Sequence, residues 1–408
     1  MKRSLAKAVV IQGGGAAIGV ATVVAVSRFL GPQQQGLFAT YKNWFDIVST
    51  VLLLGIPQGM IYAINKHYVS CGLAARLSLL MSVAAIPFII AIDAVEVRFG
   101  YLPNASPVWL YGIIPLGIAG YVYHGLARSV LLTREDGAVF SLLSSLPTIG
   151  IAGILAAQFL LGGPRMDAVF SCNGVLCGTV AAVALRRHDL GGAASNSGWY
   201  RVLLRQSAHF FIQSVLFALQ PLIVFFLLRR DGSGLGPVGL FSFSLVALVS
   251  ANSLIGMLAP ILYNHWSKSE SHDIKLLVRT TLLRTSFALG TALTLFLYLL
   301  APLTPWLVGN QFSGAEKLIR ILSLAAIPLF FTRLAQPALM ATNRTDIATR
   351  TGLLRILSVV VLMSWFGGLT GAAISWIVGE FVAALTLFYL VGTSSMLQEQ
   401  PPIVNDTL

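Results

Sequence analysis

Arg28-Phe29-Leu30-Gly31-Pro32-Gln33-Gln34-Gln35-Gly36-Leu37-Phe38-Ala39-Thr40-Tyr41 closes one long apolar run and opens the next. Gly31-Pro32 stops a helix, because proline lacks the N–H a helix interior needs and keeps the preceding residue out of helical angles. Gly36 has the freedom to restart one. The stretch therefore reads as a tight turn between two hydrophobic helices. It returns as Leu235-Gly236-Pro237-Val238-Gly239-Leu240-Phe241. Gly36, Leu37 and Phe38 fall on Gly239, Leu240 and Phe241, 203 residues on, and Pro57 falls on Pro260 at that same offset. An echo at half the chain length marks an internal duplication.

Outward from that stretch the composition sets the solvent. Of 408 residues, 56 % are hydrophobic and 10 % charged, and the mean hydropathy is +0.81. A soluble protein carries about 25 % charged residues, so this is an integral membrane protein. In a soluble chain the net charge of +12 would suggest nucleic acid. Here it points to basic residues gathered in cytoplasmic loops, and no nucleic-acid partner is expected. Cys71, Cys172 and Cys177 form no even framework; the last two share an apolar run and read as small buried thiols. Lys2, Arg3 and Lys7 before the first apolar run imitate a signal peptide, but its counterpart before Gly236 is internal, so the run reads as a membrane helix.

Measured against the roughly 17–25 residues that cross a bilayer, twelve spans are expected: 6–28, 37–63, 74–95, 107–131, 137–161, 166–186, 200–228, 237–263, 276–301, 315–341, 346–366 and 370–392. The polar, glycine-rich segment 187–198 is the seam between an N-terminal six-helix bundle (1–186) and a C-terminal one (199–395), with a tail at 396–408. The expected fold class is an all-α polytopic membrane protein, twelve transmembrane helices in two parallel-repeat six-helix bundles. Eighteen basic residues, Arg128 and Arg355 among them, fall on the side of the N-terminus. Seven (Arg28, Arg98, Arg165, Arg229, Arg230, Lys317 and Arg320) fall on the other. The bias places both termini in the cytoplasm. Six spans per half make the repeats parallel, with a cavity between bundles.

Within the spans, Gly13, Gly14, Gly15 and Gly19 form a small-residue face for packing or bending. Pro57, Pro87, Pro115, Pro147, Pro221, Pro260 and Pro328 are expected to kink their helices. Charges in hydrocarbon need a reason, since each costs about 2.5–3.5 kcal/mol on insertion scales. Lys42 and Asp46, four apart on one face, either pair or line a wet cavity. Arg333 and Glu380 either pair with each other, or serve an anionic substrate and a coupling ion respectively. Arg28 and Arg128 read as snorkelling side chains, His124 and His209 as satisfied polar contacts. Gly13-Gly14-Gly15 lies inside a helix and not after a strand, so it is no phosphate loop. Walker, zinc and nucleophile-elbow patterns are absent. The chain reads as no enzyme, with no cofactor and no metal site.

Gly13, Arg28-Phe29-Leu30-Gly31-Pro32, Gly36-Leu37-Phe38, Leu54-Gly55-Ile56-Pro57, Gly59 and the basic loop at Lys66 together resemble the polysaccharide-biosynthesis membrane proteins. These are O-antigen and capsule flippases of the multidrug/oligosaccharidyl-lipid/polysaccharide exporter superfamily. The resemblance is specific over residues 5–66. It implies a V-shaped alternating-access transporter in the bacterial cytoplasmic (inner) membrane. This would carry a polyprenyl-pyrophosphate-linked oligosaccharide to the outer leaflet, alongside a polysaccharide polymerase. On that reading Arg28, Lys42 and Arg333 meet the diphosphate, and Asp46 and Glu380 are candidates for a coupling ion, H+ or Na+. The alternatives are an ion-coupled multidrug exporter of the same superfamily and a membrane polymerase or ligase. The last lacks the large extracytoplasmic loop such enzymes carry.

Overall fold

The computed structural model describes residues 2–98, 109–133, 137–187, 198–230, 234–267, 278–341 and 345–393. Most of the 187–198 seam and the tail at 396–408 lie outside the described residues, as do Arg134, Lys268, Lys275 and Arg344. So do the side chains of His209 and Pro260.

Every expected span has a helix. The chain runs α1 (Lys2–Leu53), α2 (Ile56–Asn65), α3 (Cys71–Arg98), α4 (Ile114–Thr133), α5 (Gly137–Leu160) and α6 (Met166–Arg186). It continues through α7 (Trp199–Arg230), α8 (Gly236–Ser267), α9 (Leu283–Leu300) and the short α10 (Thr304–Val308). α11 (Ser313–Ser323), α12 (Ala326–Ala341), α13 (Thr345–Trp365) and α14 (Gly368–Thr393) complete it. α11 and α12 form one span bent by 55°. α4 falls below the hydropathy that length and composition ask of a span because Tyr121, Tyr123, His124 and Arg128 interrupt it. It nonetheless sits at the centre of its bundle, with Ile114, Ile118, Val122 and Leu126 fully buried. Large apolar side chains such as Leu160, Leu299 and Trp365 stand exposed on outward helix faces, as hydrocarbon-facing groups do.

The deciding stretch folds more tightly than a turn. α1 is broken at one residue, Gly31, whose φ of 76° is the only non-helical conformation inside it. Pro32 then opens the second arm (32–53) at the position where its fixed φ suits a helix start. The repeat has the same break: Gly234, 203 residues on, has φ 74°. The equivalent of Gly31 is thus Gly234 and not the Gly236 of the similar-looking Gly-Pro dipeptide.

Gly36 does not restart a helix; it lies within one. A Cβ there would overlap the Leu235 carbonyl oxygen, and a Cβ at Gly239 would overlap the Pro32 carbonyl oxygen. The second arm of α1 and the start of α8 therefore meet backbone to backbone across a pseudo-twofold axis. Small residues allow that approach in membranes. Gln35 Nε2 donates to Ser242 Oγ across this joint at 3.4 Å. From it each repeat sends one phenylalanine into its own core. Phe38 stacks on Phe170 of α6 at 5.3 Å, and Phe241 on Trp376 of α14 at 6.0 Å.

At the opposite end of the molecule the bundles touch again. α1 stops at Leu54 and Gly55, both left-handed (φ 50° and 69°), and α2 restarts with Pro57 in its first turn. Gly55 and Gly59 lie under the backbone of α7 at Leu203, Ser207 and Phe211. Of the four early glycines, Gly15 and Gly19 pack on Ser145 and Thr148 of α5, while Gly13 and Gly14 face open space. Pro87, Pro147 and Pro221 sit inside continuous helices.

Candidate functional site

The intramembrane charges fall into four separate places. Lys42 and Asp46 form the expected pair, Nζ to Oδ2 at 2.6 Å. Both side chains are half-exposed, at 50 % and 59 %, although Tyr41, Trp44, Phe45 and Val48 beside them are buried. The pair is thus the open, polar strip of an otherwise packed helix. Internal neutralisation leaves it close to zero net charge.

Arg28 is exposed at the joint end, where its Nη1 donates to the Leu307 carbonyl at 3.1 Å. It borders an open cavity of about 670 Å³ lined by Pro305, Trp306, Val308, Gly309, Asn310 and Gln311. Lipid snorkelling is therefore only part of its role: its guanidinium ties the N-terminal repeat to the α10 turn of the other.

The third place lies inside the C-terminal bundle. Glu380 of α14 is fully buried and pairs with Arg355 of α13, Nη1 to Oε1 at 3.5 Å. Gln220 of α7 donates to the same oxygen at 3.3 Å. The Arg333–Glu380 pairing does not form. The Arg333 guanidinium instead lies over the ring of Phe217, 3.2 Å from its centroid, and Arg355 approaches that ring at 5.2 Å. Arg355 is thereby removed from the cytoplasmic set in which the sequence pattern places it, since it is 7 % exposed and ten residues up its helix. That is about 15 Å from the helix end. The next basic residue on that helix, Arg350, is exposed at its first turns, which is where a flanking cation belongs.

The fourth place is one that sequence reasoning missed. Asp93 of α3 is fully buried. Among the described residues its donor neighbour is the indole of Trp44 on α1, and neither carboxylate oxygen has a hydrogen bond of ordinary geometry. The signal that would have found it is a carboxylate directly after the apolar run Ile89-Ile90-Ala91-Ile92 with no basic residue within four positions.

The remaining polar groups are structural. His124 Nε2 lies 2.9 Å from the Leu143 carbonyl, a satisfied contact as expected. Arg128 does not snorkel: it turns inward over Phe140, 5.4 Å from its centroid, and reaches Ser144 Oγ at 3.4 Å. Cys177 is buried, but Cys172 is exposed on the α6 surface, and all three thiols are free. Among the described residues, no cluster of metal-ligating side chains occurs.

Arg28, Lys42 and Arg333 therefore do not converge on one cavity. Two bundles of six spans, joined face to face by their second and eighth spans, define a two-lobed polytopic membrane fold. No family model and no curated protein matches the sequence. Solved structures do match. One is the inward-facing conformation of a multidrug resistance MATE family transporter of the MOP superfamily, with TM-score 0.68 and 15 % identity over 94 % of this chain and 97 % of that one. The outward-facing conformation gives TM-score 0.66 at 15 % identity, over 94 % of each chain. A point mutant of the Vibrio cholerae MATE transporter VcmN gives 0.63 at 16 %, over 97 % of this chain and 98 % of that one. This chain has that fold throughout, and its neighbours are transporters.

Proposed function

We propose that this protein is an ion-coupled, alternating-access exporter of the multidrug type. The observation that carries the reading is the distribution of charge. The open strip at Lys42–Asp46 is self-neutralised and Arg333 is stacked on Phe217 inside its own bundle, so among the described residues these cations form no shared surface for a diphosphate. Each bundle instead encloses a carboxylate, Asp93 in one and Glu380 in the other. Intramembrane carboxylates are the groups that carry protons or sodium in transporters. Asp93 is the stronger candidate, because Glu380 already has Arg355. The likeness to MATE structures supports this reading. With both termini in the cytoplasm the joint end faces outward, and the α2–α7 contact closes the inward side.

A second reading, the lipid-linked oligosaccharide flippase, keeps two supports. One is the resemblance over residues 5–66. The other is the cavity beside Arg28, whose Trp306, Asn310 and Gln311 are the aromatic and amide groups that suit a sugar. Its polymerase partner belongs to this reading alone.

Reconstituted vesicles decide between them. Under an imposed proton or sodium gradient, the exporter reading expects gradient-dependent movement of a lipophilic dye cation such as ethidium, abolished in Asp93→Asn. Dye movement indifferent to both gradients, together with polyprenyl-diphosphate sugars trapped on the cytoplasmic leaflet of depleted cells, would establish the flippase instead.

A further inference from the structure

The inward closure brings positive charge from both halves onto one small area. Gly55 of α2 lies against Ser207 and Phe211 of α7, and Gly59 against Leu203 and Ser207, so the two helices run antiparallel. Continuing that register at 1.5 Å per residue sets Lys66, at the end of α2, level with the first turn of α7. Arg205 of α7 is within electrostatic reach of Tyr62 on α2, and Arg201 lies over the ring of Tyr200, 5.8 Å from its centroid. Lys66, Arg201 and Arg205 are all exposed. α2 and α7 contain no acidic residue. Among the described residues none of the three cations has a carboxylate partner. Their mutual repulsion works against the close contact that the two glycines make.

The exposed side of α7 carries a second feature. Arg201 and Arg205 share one helix face with Leu204, Ala208 and Ile212, and all five are exposed, while Leu203, Gln206, Ser207 and Phe210 on the other side are buried. Two cations therefore stand at the membrane edge, and the same face continues apolar for two turns beyond Arg205. Part-buried Trp199 and exposed Tyr200 sit at that edge, where aromatic rings mark the headgroup level. A face that is cationic at its end and apolar above is complementary to an anionic headgroup with its hydrocarbon chain. A water-soluble anion has no use for the apolar strip, and a zwitterionic headgroup brings no net charge to offset three cations.

We propose that this inward seam binds one anionic phospholipid of the cytoplasmic leaflet. Arg201 and Arg205 hold its phosphate from α7, Lys66 reaches it from α2, and one acyl chain lies along Leu204, Ala208 and Ile212. Charge-assisted bonds to phosphate are strong. A single anion shared by cations of both halves converts their repulsion into a bridge and holds the inward side closed. The site rests on the inward placement of this end and stands whichever substrate the transporter carries.

The test is native mass spectrometry of the purified full-length protein in detergent, titrated with phosphatidylglycerol or with phosphatidylcholine. One phosphatidylglycerol adduct should survive activation that strips phosphatidylcholine. Each basic residue beside an anionic lipid contributes about fivefold in affinity, so Arg201→Gln with Arg205→Gln should weaken the adduct about 25-fold. Lys66→Gln, on the other half, should weaken it about fivefold. Arg284→Gln with Arg350→Gln removes the same charge from two exposed positions near the inward helix starts of the C-terminal half and should leave the adduct intact. All five side chains are exposed, and each variant should unfold at the parent's Tm in detergent without added lipid. Equal retention of the two lipids would overturn the proposal. So would an equal loss in the Arg284 and Arg350 double variant, which would reduce the seam to general positive charge. A polyprenyl-diphosphate adduct that phosphatidylglycerol fails to displace would overturn it too.

Discussion

At the joint the N-terminal and C-terminal halves use one device: Gly31 and Gly234 break the chain at φ 76° and 74°, and Gly36 and Gly239 press against each other's backbones. Away from it they part. The N-terminal half breaks its second span at Leu54-Gly55, where the C-terminal half runs α8 unbroken through 32 residues. The C-terminal half bends its fourth span by 55° between α11 and α12, where α4 is continuous. The N-terminal bundle encloses an aspartate beside an indole; the C-terminal bundle encloses two arginines, one glutamate and a phenylalanine between them. Duplication has preserved the joint between bundles and let the chemistry inside each diverge.

The largest expected effect strikes what the halves share. Gly36→Leu and Gly239→Leu should each drive a side chain into backbone that has no room to move. Overpacking costs about 1–3 kcal/mol where side chains can yield and more where they cannot, so both variants should lose transport and folded yield to the same degree. A large inequality between them, read by nanodisc Tm and vesicle flux, would break the symmetry of the joint. Next in size is Glu380→Gln, which strips Arg355 of its carboxylate partner. Breaking a buried pair costs about 3–5 kcal/mol, and adding Arg355→Gln should recover most of the lost Tm.

In the N-terminal bundle Asp93→Asn should change stability little, because no ion pair is lost, yet abolish gradient-driven transport at every pH. An unchanged pH profile would move ion coupling out of that half. The smallest effect on stability belongs to Lys42→Ala, since exposed i,i+4 pairs contribute about 0.3–0.5 kcal/mol. Its flux is the more telling readout. A large transport defect at unchanged Tm would place the strip on the substrate path, and normal flux would make the pair structural only.

The fold was legible because hydrophobic runs of bilayer length, and the glycines and prolines that end them, are local properties of the chain. All twelve expected spans have helices, including the bent ones. The site was legible only where partners are neighbours in sequence. Lys42 and Asp46 are four apart on one helix, so periodicity alone pairs them. Arg333, Arg355 and Glu380 stand on three helices, and their pairing depends on rotations about helix axes that periodicity in so uniformly apolar a chain does not specify. Arg355 looked like a loop cation, and Asp93 drew no reading at all, because distance from a helix end, read along the sequence, says nothing about which face is buried.

The sequence by itself determined that this is a duplicated, polytopic membrane protein with a chain break at Gly31-Pro32 and its echo. Backbone freedom and hydropathy act within a few residues of where they are written. Only the tertiary structure decided that Gly36 serves contact between bundles and not the turn, that Glu380 chooses Arg355 over Arg333, and that Asp93 has an indole and no ion pair among the described residues. Those outcomes depend on which helices touch, and in a bilayer that choice is made by packing and charge across the bundle.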